Sequence, residues 1–314
     1  MSIFRNQFNR LLLKGVKRGW ASFVWICKIV IPASFLITLL HWTGWLSQLD
    51  FLLNPLMKLI NLPPEAALPI IIGMLINIYA AIAIMATLPF TLDQMTLIAI
   101  FTLICHSLIA EGIIQHRAGI NLFMATIIRF IAATLTVIIV SQFLGDTSQS
   151  FIATDMLTVH LPLIEALKEW GLNTIVLLLK ILGIVMGIMI LLEYSAAMRW
   201  TEYLLKISRP LMKVLRLSDR TVILWITSAF FGLFYGGAII VDEARKVGLT
   251  KDELERLHIS IGINHAMVED PALFLVLGLN PFWLWVPKLF MAIIAVQIYI
   301  FLKYLKNRLT KRNG

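Results

Sequence analysis

Apolar residues run along this chain in blocks, and the blocks are long. Residues 66–90 and 221–241 contain no charge, and each run could cross about 30 Å of hydrocarbon as a helix. The short alternating segments of a closed barrel are absent, so the pattern predicts membrane-spanning helices. Two series of elements follow from it. The first has a span over 21–46, an amphipathic interfacial helix over 51–61 and a long apolar helix to Thr87. A helix from Asp93, broken near Glu111-Gly112, and a last span over 119–144 complete it. In the second series the corresponding parts begin near Gly171, Trp200, Thr221, Asp252 and Pro281. Trp20, Trp42, Trp45, Trp170, Trp200, Trp283 and Trp285 fall near span ends, as an aromatic belt does.

The two series are copies. Pro55-Leu56-Met57-Lys58 returns as Pro210-Leu211-Met212-Lys213, a shift of 155 residues. Further on the shift settles at 159: Thr91 matches Thr250, Asp93 matches Asp252, His106 matches His265, and Gly119 and Asn121 match Gly278 and Asn280. Glu111/Asp270 and Arg129/Lys288 keep their charge. The expected organisation is a basic amphipathic segment over 1–20, repeats over 21–145 and 171–305 joined by a linker over 146–170, and a basic tail over 306–314. Duplicated bundles place substrate sites where their halves meet.

Composition agrees. Of 314 residues 59% are hydrophobic and 14% charged, against about a quarter charged in soluble domains. The net charge of +9 does not signal nucleic acid, because the cations sit beside hydrophobic ends. They form clusters from Arg5 to Arg18, from Arg199 to Arg220 and from Lys303 to Arg312, the signature of cytoplasmic loops. Cys27 and Cys105 lie in apolar stretches and imply no disulfide framework. No cleavable signal peptide is evident.

Charge also bears on orientation. If the broken element is a full crossing added to three others, the halves are parallel and the 199–220 cluster faces outside. If it dips in and returns, each half crosses three times and the second half is inverted. The inverted reading puts the N-terminus, the 199–220 cluster and the C-terminus inside and is favoured. It leaves Arg245, Lys246, Lys251 and Arg256 outside, which fits poorly.

The strongest candidate site is the segment from Asn264 and His265 to Glu269, Asp270 and Pro271, with its counterpart His106 to Glu111 and Gly112. His265 and Glu269 are four apart, which puts them on one helical face. Asp270 precedes proline, a predicted break, and broken backbone at membrane depth is tolerated only against protein or a water-filled cavity. Histidine beside carboxylate suits a solute or a coupling proton; side chains merely satisfied at hairpin tips are the bland reading. Cys105, His106, Glu111, His265, Glu269 and Asp270 also offer metal-ligand types if the hairpins meet, without an HxxxH or CxxC pair to support them; a metal is left undecided and no cofactor is expected.

Lys28, Arg129, Lys180 and Lys288 sit inside spans, where each must snorkel, pair with an acid such as Glu193, or face a solvated site. An anionic substrate and paired structural charges explain them equally. Ser228, Gly232 and Gly236 recur every four residues, with Gly237 alongside, and let another helix approach closely or line a path. Asn77 is a second-tier polar site residue. No GxSxG, Gly-rich phosphate loop or HExxH is present, so no enzyme is expected. Thr250 with Glu253, and Thr91 with Gln94, read as capping helix starts.

At these residues the chain resembles the nucleoside-recognition, or Gate, family. The likeness lies in Phe231-Gly232-Leu233-Phe234-Tyr235-Gly236-Gly237-Ala238, in Gly248-Leu249-Thr250 and in the segment from His265 to Pro271, with weaker first-half copies. It covers roughly residues 25 to 300. That family includes spore-maturation membrane proteins, its Gate segments occur in ferrous-iron transporter B, and a distant kinship to concentrative nucleoside transporters is usually inferred. The resemblance implies a two-Gate bacterial inner-membrane protein with an inverted repeat and cytoplasmic termini. This chain shows no GTPase domain and no cysteine in the segment from Gly232 to Ala238, which weakens ferrous iron as its cargo.

The resulting expectation is an all-α polytopic transporter that moves a small polar or anionic solute, coupled to a proton or another ion, by alternating access between the repeats. Divalent-metal transport and a non-transporting membrane partner are the alternatives. Its partners would be the lipid bilayer, a small solute and a second copy or other membrane protein, without nucleic acid.

Overall fold

A computed structural model describes residues 2–44, 50–145, 147–148, 162–198, 200–218, 220–230, 232–233 and 248–312. Every regular element among them is a helix. The first half contains α1 (Ser2–Trp42), α2 (Asp50–Leu59), α3 (Ala67–Leu75), α4 (Ile78–Thr87), α5 (Leu92–Cys105), α6 (Leu108–Arg117) and α7 (Leu122–Ser141). The second contains α8 (Leu163–Ala197), α9 (Trp200–Val214), α10 (Arg220–Phe230), α11 (Lys251–Ile263), α12 (Glu269–Phe274) and α13 (Pro281–Arg312). Five stretches are long and apolar enough to cross a bilayer: Asn9–Trp42, Leu92–Arg117, Leu122–Ser141, Leu163–Ser195 and Pro281–Leu309. The protein is an all-α multi-pass membrane protein.

Equivalent positions in the two halves start helices in the same way. Thr91 accepts from Gln94 N while the Gln94 side chain accepts from Thr91 N, and Thr250 and Glu253 repeat this box on α11. Asn121 and Asn280 cap α7 and α13, accepting from Met124 N and Phe282 N. Apolar side chains then face both ways. Leu36, Ile131, Leu179 and Phe290 are exposed as a lipid-facing surface requires, while Ile26, Ile98, Ile181 and Val296 are buried. Of the 18-residue apolar window of Leu92–Arg117, 78% is buried, against 22–39% for those of the other four spans, so α5 and α6 form the centre.

Facing pairs fix the directions of the helices. Between α1 and α8, Gly15 faces Ile190, Gly19 faces Met186 and Phe35 meets Trp170 edge to face. As one number rises the other falls, so these two corresponding spans are antiparallel. They pack closely: a Cβ added at Gly15 would lie 2.8 Å from Ile190 Cα, and Trp170 Nε1 donates to Ser34 Oγ at 3.0 Å. The halves also exchange partners symmetrically, α7 packing on α11 and α13 on α5.

Which element turns back differs from the expectation. The long apolar helix ending at Thr87 is two short helices that fold on each other. A Cβ added at Gly73 would lie 3.2 Å from Ala81 Cβ, whereas eight residues of continuous helix span about 12 Å. The turn between them is held by Asn77, whose side chain accepts from Ala80 N. By contrast α5–α6, expected to dip in and return, runs one way past α7. Asp93, Phe101, Ile104 and Gly112 meet Gly145, Phe130, Arg129 and Thr126 in turn. An uncharged run long enough to span was in fact a hairpin, because hydropathy cannot see a backbone reversal.

The basic ends gather on one side. Lys14 and Arg18 pair with Glu193 near the end of α8. Arg256 donates to Arg216 O, Gln297 to Val214 O and Lys303 to Asp252. The start of α11 therefore lies beside the ends of α9 and α13. Lys251 and Arg256 thus share the C-terminal end of α13 and do not lie opposite it, as expected above; Arg245 and Lys246 fall outside the described residues. At the other end Thr147 ties Asn61 to Gln94, and Asp93 accepts from Gly145 N.

Candidate functional site

The central feature is a pair of broken helices that meet. Helix α5 ends at Cys105, and Ser107 has φ +46°; α11 ends at Ile263, and Ala266 has φ +45°. Neither N–H finds a helical acceptor, and in each half the apolar helix upstream supplies one. Ser107 N donates to Gly73 O at 3.0 Å; Ala266 N donates to Ser228 O at 3.2 Å and Met267 N to Ala229 O at 2.6 Å. Ser107 Oγ adds a bond to Ile76 O. Backbone that would be orphaned in lipid is satisfied by protein.

These breaks correct two expectations. The first-half break lies at 106–107, and α6 runs uninterrupted through Glu111 and Gly112. In the second half Asp270 and Pro271 lie inside α12, not at the break, because proline is tolerated in a helix's first turn. His265 and Glu269 consequently fall on opposite sides of the break rather than on one face. The Glu269 carboxylate is held elsewhere, accepting from the Tyr79 hydroxyl at 2.8 Å.

Four groups from the two halves converge instead. His106 Nε2 and His265 Nε2 are 3.4 Å apart. Glu111 Oε1 lies 3.3 Å from each of them, and Asp270 Oδ2 lies 3.4 Å from His106 Nε2. All four residues are buried. Both rings are oriented identically: His106 Nδ1 is 3.0 Å from Thr102 O, and His265 Nδ1 is 2.9 Å from Ile261 O. A carbonyl only accepts, so each Nδ1 carries the hydrogen and, in the neutral ring, each Nε2 presents a lone pair.

The buried cations complete the broken ends. Arg129 Nε and its second terminal nitrogen donate to Ile104 O and His106 O at 2.9 and 2.8 Å, and the remaining nitrogen sits 2.7 Å from Glu111 Oε2. Lys288 Nζ donates to His265 O at 3.2 Å. These are the orphan carbonyls of α5 and α11, so both cations act as C-terminal caps reaching in from α7 and α13. Of the four in-span cations, only these two are buried. Lys28 and Lys180 are exposed on α1 and α8. An anionic solute therefore loses the support that four inward cations would have lent it.

The remaining candidates divide. Asn264 is fully buried at the end of α11, with Nδ2 3.4 Å from Met267 Sδ. Ser228 is buried at the contact with Ala266, and Gly232 has φ +76°; a Cβ there would lie 3.5 Å from Ala266 Cβ. Gly236 and Gly237 lie outside the described residues. Cys105 is buried one residue before the break and is not among the converging side chains. Two buried groups escaped the sequence reading, Gln115, which donates to His258 O, and His258 itself. Neither has a counterpart of its type at the repeat shift, the one signal that singled out His106 and His265.

Residues 23–143 match the Gate family, described as nucleoside recognition. Over 282 residues the chain is 27% identical to the uncharacterized membrane protein YvoD of Bacillus subtilis (strain 168), across 88% of this chain and 89% of that one. No solved structure matches the chain. The chain therefore carries a Gate match over residues 23–143 and is similar along most of its length to a membrane protein.

Proposed function

We propose, from the Gate match over residues 23–143, that the protein is a membrane transporter in which two inverted repeats close over one central site. The observation that carries this reading is the meeting of the two breaks: His106 and His265, equivalent residues of the two halves, approach to 3.4 Å in a buried cluster with Glu111 and Asp270. Transporters built from inverted repeats bind at discontinuous helices near the midplane, and ionisable groups there are seldom structural filler. Inversion is supported by the antiparallel α1 and α8. On this reading each half crosses three times, by its first helix, its broken helix and its last helix, and the first half's α3–α4 hairpin enters and leaves on one side. All the basic ends then share the cytoplasmic face, in agreement with the positive-inside rule.

The cluster offers lone pairs and carboxylate oxygens, with its two cations already engaged by backbone. The solute it suits is small and polar and is bound through donors or positive charge, which disfavours a free anion. Access would alternate by one repeat moving against the other. Uptake into proteoliposomes tests this, after a thermal-shift screen of nucleosides, organic acids and divalent cations has chosen the solute. Uptake should fall at least tenfold in His265→Gln and in Glu111→Gln; unchanged uptake in both would overturn the reading.

A second reading has its own observation. The cluster is buried, and Lys28 and Lys180 are exposed near the middle of the long spans α1 and α8. A charge in mid-bilayer calls for a partner, so a membrane partner with an acidic residue at that depth is the rival. Copurification lost in a Lys28→Leu/Lys180→Leu variant, with uptake absent from the unaltered protein, would favour it.

A further inference from the structure

We infer that His106, His265, Glu111 and Asp270 form a site for a divalent transition-metal ion of the zinc class. This rests on the reading that two repeats close over one central site, and it names that site's ligand.

The distances carry the inference. Zinc is held at about 2.0–2.1 Å by imidazole nitrogen and at about 2.0–2.2 Å by carboxylate oxygen, so the ligand atoms of a tetrahedral site lie about 3.3–3.5 Å from one another. His106 Nε2, His265 Nε2 and Glu111 Oε1 stand 3.3, 3.3 and 3.4 Å apart, one face of such a tetrahedron. Asp270 Oδ2, 3.4 Å from His106 Nε2, supplies a fourth donor, and His106, His265 and Asp270 offer ligand atoms that all lie within 4.8 Å of one another. Packing alone does not account for the spacing. Three acceptor atoms of His106, His265 and Glu111 this close together in a buried place need a proton or a metal ion among them, and Asp270 Oδ2, beside His106, makes no hydrogen bond within the protein.

Second-sphere contacts point the same way. Metal-bound histidines donate their other N–H to a carbonyl or carboxylate, which fixes the ring and its tautomer. Both histidines do so, to Thr102 O and Ile261 O, from equivalent turns of α5 and α11. Arg129 holds the far oxygen of Glu111 and leaves Oε1 directed at the histidines. Two imidazoles and two carboxylates without a thiolate suit zinc, cobalt or manganese better than copper(I), and the donor number is too small for calcium. Because a buried guanidinium opposes Glu111, the ion would be held less firmly than in a closed structural site. Cargo needs that property.

The test is metal binding by the full-length protein in detergent after treatment with a chelator. Addition of Zn2+ should raise the melting temperature and titrate to one ion per chain. Co2+ should give the intense visible absorption of a tetrahedral site, and Mg2+ should do neither. His106→Gln and His265→Gln should each weaken Zn2+ binding at least tenfold, while His116→Gln, on the exposed end of α6, should leave it unchanged. Gln keeps size and polarity; if either site variant fails to fold, loss of the Co2+ spectrum on adding Zn2+ to the unaltered protein still reports a shared site. Absence of stoichiometric Zn2+ and Co2+ binding, or binding indifferent to both histidine variants, would overturn the inference. Uptake of a non-metal solute that depends on His265, together with no metal binding, would sink the metal site and spare the transporter. Metal binding without metal uptake would do the reverse.

Discussion

Ser107 and Ala266, 159 residues apart, share one backbone conformation: φ is +46° at the first and +45° at the second. Each sits immediately after a histidine and donates its N–H to the helix upstream in its own half. Neither is glycine, although left-handed backbone costs other residues about 1–2 kcal/mol. The histidine before each is thereby turned toward the centre, and the same strained joint is built twice.

A β-branched residue cannot adopt that joint readily. Ala266→Val should therefore lower stability by about 1–2 kcal/mol or more. Ala266→Gly should stay within about 1 kcal/mol of the unaltered protein, since relief of strain is offset by the entropy of a freer chain. Melting temperatures in detergent check both, and equal losses for Val and Gly would argue against strain at this position.

Removal of Arg129 leaves the Glu111 carboxylate buried without its counter-charge, along with the carbonyls of Ile104 and His106. Loss of one partner of a buried ion pair costs about 3–5 kcal/mol, so Arg129→Met should give a large drop in melting temperature or in yield of folded protein. The Arg129→Met/Glu111→Leu double variant should recover part of that loss, because no charge is then left unpaired. A double variant no better than the single would show that Arg129 acts only as a cap.

Gly15 is needed for the contact between the first spans of the two halves. A Cβ there meets the backbone of α8, which cannot step aside as a side chain tip would. Gly15→Val should destabilise by about 1–3 kcal/mol, readable as a fall in melting temperature. Gly171→Val, at a glycine with nothing within 4 Å of an added Cβ, should have little effect.

Orientation can be read by labelling. Arg117, at the end of α6, and Asn280, before α13, are both exposed and are expected on opposite membrane faces. Lys251 should share a face with Arg117. In sealed cells a membrane-impermeant thiol reagent should modify Asn280→Cys without permeabilisation, and Arg117→Cys and Lys251→Cys only after it. Modification of all three from one side would end the inverted-repeat reading.

Hydropathy, charge and internal repetition were enough to identify a helical membrane protein, its capping boxes and the correspondence of His106 with His265. Those features are local or periodic, so they can be read one segment at a time. Repetition also marked Glu111 with Asp270 and Arg129 with Lys288, but not whom each would meet. Only the packed structure decided that the 66–90 run folds back on itself, since a hairpin and a span bury the same apolar residues. Only packing moved the breaks to 106–107 and 264–268, because what permits a helix to break at membrane depth is an acceptor supplied from another helix. It likewise turned Glu269 aside to Tyr79 and left Lys28 and Lys180 on the outer surface. The central cluster belongs to no stretch of sequence: it exists because two half-helices from opposite halves end at the same place, and the distance between them is set by everything packed around them.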